Sequence, residues 1–260
     1  MNLGGRTALV TGASGGLGQA IARGLARRGA SLVLSARRVD VLESIAAETG
    51  GRVVACDLAD RDAVERLASE AGPVDVLVAN AGVSATGRLE SASLEDIDRV
   101  LDVNLRAPIV LARLMCEGMV ERGGGHIVFI SSLNGKVGTV RTSIYAATKF
   151  GLRGFAQSLR EDLRSRGVGV STIFPGFIRD AGMFHDSGAK LPPYVGTSSP
   201  DDVARAVIRA IEHDRSEIDV APIAMRVGTA IASLAPEAAA TVQRKLGADK
   251  IAAQYGDRSG

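Results

Sequence analysis

The sequence predicts an α/β protein: a doubly wound, mostly parallel sheet of seven strands with helices on both faces. Three observations predict it. Short runs rich in Val, Ile and Leu alternate with longer stretches of helical periodicity, the pattern of strand-helix-strand units. The runs are apolar throughout, as in strands covered on both faces. The first run passes straight into a glycine-rich turn and then a helix.

The expected strands cover residues 7–11, 31–36, 52–55, 74–79, 126–131, 168–174 and 218–221. Helical spacing is clear over 17–28, where Ile21, Leu25 and several Ala share a face, and over 145–166, where Phe155, Leu159 and Leu163 follow at steps of four. Residues 181–199 hold Gly182, Gly188, Pro192, Pro193 and Gly196 and read as a long loop of the kind that serves as a lid. Beyond residue 222, Ile223, Val227, Ile231 and Leu234 recur at helical spacing, and Pro236 opens a second helical pattern that runs to 253. The expected organisation is one domain over 1–222, with the 181–199 lid, and a helical extension over 223–260. The apolar stripe of that extension is expected to pack on the core or on a second subunit. Its opposite face lacks the Lys and Arg of a membrane-surface helix.

Composition excludes several classes. Of 260 residues, 46% are hydrophobic and 23% charged, which suits a globular core and rules out intrinsic disorder. Lys and Arg total 31 against 29 Asp and Glu, with no basic run to grip a phosphate backbone, so nucleic acid is not an expected partner. The longest charge-free run, 7–22, is 16 residues broken by Gly, Ser, Thr and Gln, too short and too polar for membrane insertion. The few residues between Met1 and the strand at Thr7 leave no room for a signal peptide, so the expectation is cytoplasmic. Cys56 and Cys116 read as inert packing residues, and the three His are not spaced as metal ligands.

The chemistry begins at the first turn, where Gly12, Ala13, Ser14, Gly15, Gly16, Leu17 and Gly18 follow the strand. Glycine lets backbone amides approach a pyrophosphate, which the positive end of the next helix then stabilises, as in a Rossmann-like nucleotide site. Alone, such a turn could be a plain connection. After the second strand come Arg37 and Arg38, where a carboxylate would select NAD(H); two guanidiniums suit a ribose 2′-phosphate, so NADP(H) is the expected cofactor, with NAD(H) possible. Tyr145 and Lys149, four apart on a helix, lie on one face. A nearby ammonium favours phenolate, and lowering a phenol by about 3 units corresponds to about 4 kcal/mol. Taken singly, this pair would read as solvated helix residues and Ser132 as a hydroxyl satisfied by a turn.

Together, these residues resemble the short-chain dehydrogenase/reductase family over roughly residues 6–221. The glycine turn has the spacing T-G-x-x-x-G-x-G. Asp57, with Leu58 beside it, resembles the family's adenine-contacting position, and Asn80, Ala81 and Gly82 match its N-A-G motif. Asn104 matches a helix-borne Asn, Ser132 the Ser that precedes Y-x-x-x-K at Tyr145 and Lys149, and Pro175 with Gly176 the turn after the sixth strand.

The resemblance implies that Tyr145 exchanges a proton with the substrate oxygen, Ser132 hydrogen-bonds that oxygen, Lys149 bonds the nicotinamide ribose and Asn104 holds a relay water. Asp180 stands where the family often has a Thr bonded to the nicotinamide carboxamide, which leaves backbone groups near Ile178 to orient it. Leu133, Val137, Met183, Phe184, Leu191 and Tyr194 are candidate substrate contacts, so an apolar carbonyl or secondary alcohol is the expected small-molecule substrate. The expected function is NADP(H)-dependent hydride transfer. The alternatives are an NAD-dependent alcohol dehydrogenase and a cofactor-binding scaffold that has lost turnover. Family members also imply a homodimer or homotetramer formed through the helices around Asn104 and Tyr145.

Overall fold

Seven apolar runs form seven strands, and the segments between them form helices that cover both faces of the sheet. The computed structural model describes residues 1–188, 191, 195–235, 237, 240 and 241. In chain order their elements are β1 Thr7–Thr11, α1 Gly16–Ala26, β2 Ser31–Ala36, α2 Val39–Thr49, β3 Arg52–Ala55, α3 Arg61–Ala71 and β4 Val76–Ala79. Next come α4 Leu94–Leu101, a π turn Asp102–Arg106, α5 Ala107–Glu121, β5 Gly125–Ile130 and α6 Ser143–Arg164. The last are β6 Val168–Pro175, α7 Met183–Ser187, α8 Pro200–His213, β7 Glu217–Val220 and α9 Ile223–Leu234. None of the described helices is long and apolar enough to cross a membrane.

The strands lie in the order β3-β2-β1-β4-β5-β6-β7, and every pairing is parallel. From β1 the chain builds outward to β3 on one side, then crosses to β4 and builds outward to β7. The crevice beyond the carboxyl ends of β1 and β4 is therefore the switch point at which such sheets bind ligands. Alternation along each strand divides the core. Val10, Val78 and Val128 pack with Ile21 and Leu25 of α1 and with Val207 of α8. Leu9, Leu77 and Phe129 face the other way, toward Leu67 of α3, Leu111 of α5 and Leu152 of α6.

Strand ends depart from the expected ranges where polar contacts override apolar pattern. β4 starts at Val76 instead of residue 74, because Asp75 is spent on Thr7: its N–H donates to the Thr7 carbonyl at 2.8 Å and its carboxylate accepts the Thr7 N–H at 2.9 Å. β5 and β7 each lie one residue earlier than expected, since pairing admits Gly125 and Glu217, which carry no apolar signal. The 181–199 segment is laced at its base, where Ile178 bridges Ser198, and it contains the short helix α7.

The extension narrows an expectation. On α9 the stripe Ile223, Val227, Ile231 and Leu234 is 75%, 53%, 61% and 87% exposed, so it does not pack on the core of this chain. The helix docks instead through Met225 and Ala232, smaller or more flexible residues that fit against the end of the sheet. The second expected helix, 236–253, lies outside the described residues apart from 237, 240 and 241.

At the opposite end of the sheet His126 is 2% exposed, with Nε2 2.7 Å from the Ser171 hydroxyl of β6. Burial pulls its pKa from 6.5 to about 4, against the attraction of Asp214. The folded state thus binds this proton less readily than the unfolded chain, so stability is lost as pH falls from 6.5 toward 4. The full shift is worth roughly 3 kcal/mol. Chemical unfolding across this window should show that loss, and His126→Asn should flatten the slope.

Candidate active site

Three turns meet at the carboxyl edge of the sheet, and the first is set by close backbone approach. Gly12 has φ +64°, and a Cβ there would lie 2.8 Å from the Ala81 Cα; a Cβ on Gly18 would run into the Gly12 carbonyl oxygen. Only glycine fits at both places. The Asn80 side chain donates to the carbonyls of Thr11 and Gly12 at 3.0 and 3.3 Å. The Thr11 hydroxyl accepts the N–H groups of Asn80 and Ala81 at 3.1 and 3.2 Å. The turn after β1 is thereby fastened to the turn after β4.

Gly15 caps α1 without a side chain, and among the described residues the N–H groups of Gly16, Leu17 and Gly18 have no protein acceptor. Three open donors at the positive end of a helix fit the pyrophosphate of a dinucleotide. Arg38 closes over this turn, donating to the buried Ser14 carbonyl at 2.7 Å, where Gln19 also bonds. Arg37 is exposed and makes no ion pair among the described residues. Asp57 accepts the Ala59 N–H at 3.1 Å and lies 3.8 Å from Arg99, and Leu58 is buried beside it at the end of β3.

Asn104 lies in the π turn between α4 and α5, a helix irregularity common at functional sites. Its side chain is wholly buried and accepts the Val83 N–H at 2.7 Å while donating to the Val83 carbonyl at 2.9 Å. The amide pins the chain that follows Gly82.

Ser132 caps the 3-10 turn Leu133–Gly135, accepting the Asn134 N–H at 3.2 Å. Ser131 points the other way and donates to the Lys149 carbonyl at 3.2 Å, which fastens the turn to α6. The Ser132 hydroxyl lies close enough to the Tyr145 phenol to favour its ionised form, and Lys149, 3% exposed, holds its Nζ 5.6 Å from the centre of the Tyr145 ring while donating to the Ile130 carbonyl at 3.0 Å.

Burial dominates the electrostatics of both groups. Burial pushes the Tyr145 phenol up to about 12, and the Ser132 hydrogen bond opposes it only in part. Burial also lowers Lys149 to about 8. In both groups desolvation disfavours the charged form.

The fourth wall follows β6. The Gly176 N–H donates to the Val220 carbonyl at 3.0 Å, which places Pro175 and Gly176 beside β7. The N–H and C=O of Ile178 have no partner among the described residues and are open to a carboxamide. Asp180 has φ +66° and a side chain 72% exposed, paired with Arg179 at 3.4 Å, so its carboxylate turns to solvent. Ala181 leans on Gly16, and Met183 lies 3.5 Å from the position of a Gly82 Cβ, near Lys149.

Phe184 packs edge-on against Phe177 at 5.1 Å, pinning the loop; Leu191 is half-buried, and Tyr194 lies outside the described residues. One cleft residue escaped sequence reasoning. Met225 of α9 would touch a Cβ on Gly176 at 2.9 Å, where Leu133 also points, and no spacing rule connects residues so distant in sequence.

A parallel sheet that switches direction at a glycine-rich turn, with Ser132, Tyr145 and Lys149 grouped beside it, defines a dinucleotide-dependent oxidoreductase site. The short chain dehydrogenase family model matches residues 6–192. A ketoacyl reductase of Nostoc sp. (strain PCC 7120) is 37% identical over 225 residues, covering 83% of this chain and 78% of its own. A 3-oxoacyl-[acyl-carrier-protein] reductase of Rickettsia conorii is 38% identical over 186 residues, covering 69% of this chain and 75% of its own. A metagenomic short-chain oxidoreductase solved with NADP superposes with a TM-score of 0.71 at 37% identity, covering 85% of this chain and 99% of the other. The chain belongs to the short-chain dehydrogenase family and is an NAD(P)-dependent oxidoreductase acting on CH–OH or C=O groups.

The glycine contacts give a direct test. Gly18→Ala should destabilise the fold by about 1 to 3 kcal/mol through overpacking. It should also weaken NADPH binding at least tenfold, read from nicotinamide emission in a protein without Trp.

Proposed function

We propose that this protein is an NADP(H)-dependent reductase of apolar ketones, of the 3-oxoacyl type for which its relatives are named. The observation that carries the reading is the Ser132–Tyr145 hydroxyl pair, with buried Lys149 beneath it and Leu133 and Met225 as an apolar floor. A bound NADPH supplies the hydride. Around it the chain's residues orient, exclude water and move a proton.

In this reading Gly12, Ser14 and Gly15 to Gly18 hold the pyrophosphate, Arg37 and Arg38 the 2′-phosphate, and Asp57 with Leu58 the adenine end. Asn80, Ala81 and Gly82 shape the floor of the cleft. Pro175, Gly176 and Ile178 face the carboxamide. Ser132 hydrogen-bonds the substrate oxygen and Tyr145 gives it a proton, so that charge developing on that oxygen is met by two donors in a dry site. A phenol held at about 12 is protonated at neutral pH, the state that a proton donor to a ketone needs. Lys149 bonds the ribose, and Asn104 acts by positioning the Val83 segment.

Residues 1–222 form the oxidoreductase domain, with 181–199 as lid and 223–260 as extension. Exposed Leu101, Leu114 and Phe150, on or beside α4, α5 and α6, support assembly as a dimer or tetramer.

Two measurements test this reading. Titration with NADPH and NADH should favour NADPH by roughly tenfold to a hundredfold, as one charge-assisted contact provides. Replacing Arg37 and Arg38 with Ser should erase the difference, and tighter NADH binding by the native protein would sink the assignment. Tyr145→Phe should lower kcat for 3-oxo ester reduction by about 10² to 10⁴ while NADPH affinity stays within threefold. Near-native turnover would remove Tyr145 from its role.

A further inference from the structure

On β7, Glu217 and Asp219 point to one face while Ile218 and Val220 point to the other, into the core. The Glu217 carboxylate accepts two bonds from Arg153, Nε at 2.8 Å and Nη2 at 3.1 Å, and a third from Gln157 at 3.0 Å. The Lys136 Nζ lies 3.1 Å from the same carboxylate and 2.6 Å from Asp219. Lys136 and Arg153 both lie over the Phe174 ring, at 4.1 and 5.6 Å. The four charged side chains are 14% to 28% exposed and sum to zero, which is the condition under which a partly buried ionic cluster holds a fixed geometry.

The two cations come from the two segments whose spacing matters most. Lys136 closes the turn that begins at Ser132, its N–H donating to the Leu133 carbonyl at 2.9 Å. Arg153 lies one helical turn beyond Lys149 and two beyond Tyr145 on α6. One carboxylate therefore ties the Ser132 turn and the Tyr145 helix to the same point on the edge strand.

We infer that Glu217 is a positioning residue that sets the distance between the Ser132 and Tyr145 hydroxyls, acting through Lys136 on one side and Arg153 on the other. The inference rests on the roles proposed for Ser132 and Tyr145. Neutralising Glu217 leaves Lys136 to Asp219 and frees Arg153, so the turn and the helix lose their common anchor.

The test uses the full chain and two readouts. With NADPH and ethyl acetoacetate as probe, Glu217→Gln should lower kcat about tenfold, with KM and NADPH affinity within twofold. Lys136→Met should do likewise, and Lys136→Arg should keep most of the turnover. Asp75→Asn, which removes an anchor at the far end of the sheet, controls for stability and should lower the melting temperature without lowering kcat. The second readout needs no turnover. With ¹³Cζ-tyrosine labelling, the Tyr145 resonance, one of three and assigned by its loss in Tyr145→Phe, should move in Glu217→Gln in the direction that it moves in Ser132→Ala.

An unmoved resonance in Glu217→Gln overturns the inference, whatever happens to kcat, and so does an equal fall of kcat in Asp75→Asn. If the native protein leaves the probe unreduced, the 3-oxo reading fails by itself; a Tyr145 resonance that still moves upholds the anchor.

Discussion

The structure depends on two backbone segments touching without side chains between them. Gly12 and Gly18 let β1, α1 and the chain after β4 approach to contact distance, and Thr11 and Asn80 fasten that approach with four hydrogen bonds. Because the segments touch there, α1 starts immediately above the sheet with its first amides pointing into the crevice. A side chain at either glycine would push the helix outward and close the space those amides face. The same contact fixes where Gly82 lies, and through Val83 it reaches Asn104 and the π turn. Dinucleotide site and reaction site thus share one foundation.

The cleft is held from its other side by charge. Glu217 and Asp219 sit on the edge strand β7, where the side chains of Arg153 and Gln157 reach across from α6 to Glu217. Carboxylates in a wet edge position would contribute little. Here their partners come from separate segments and the cluster is largely shielded, so its geometry is specified as well as its energy. An apolar contact could supply comparable stability, but with less directional geometry.

What the sequence made legible follows from range. Strands, the glycine turn and the Tyr145–Lys149 pair are local patterns, set by periods of two or of 3.6 and by immediate neighbours, and they lie where the pattern put them. Glu217 and Met225 act on residues 64 to 92 positions away, at Arg153 and Leu133, and no local rule joins such positions. The α9 stripe left its partner open for a related reason. Helical spacing shows which residues share a face but not what that face meets, and the docked face is the one with Met225 and Ala232. Asn104 was visible as a position, while its commitment to Val83 depended on a loop whose path has no sequence signature.

The protonation of Tyr145 is a balance and not a contact. Burial favours the neutral phenol, and the Ser132 hydroxyl opposes it only in part. Lys149 responds to the same burial by moving down to about 8, which weakens its hold on an anion. Burial thus makes the charged form of each group harder to reach than it is in water. A site built this way keeps its proton on Tyr145 until negative charge develops on an oxygen within its reach. Two hydroxyl donors then answer that charge together, and their spacing matters more than the acidity of either one. This places the weight of the chemistry on geometry, which is why a carboxylate remote from the substrate, at Glu217, can bear on the reaction.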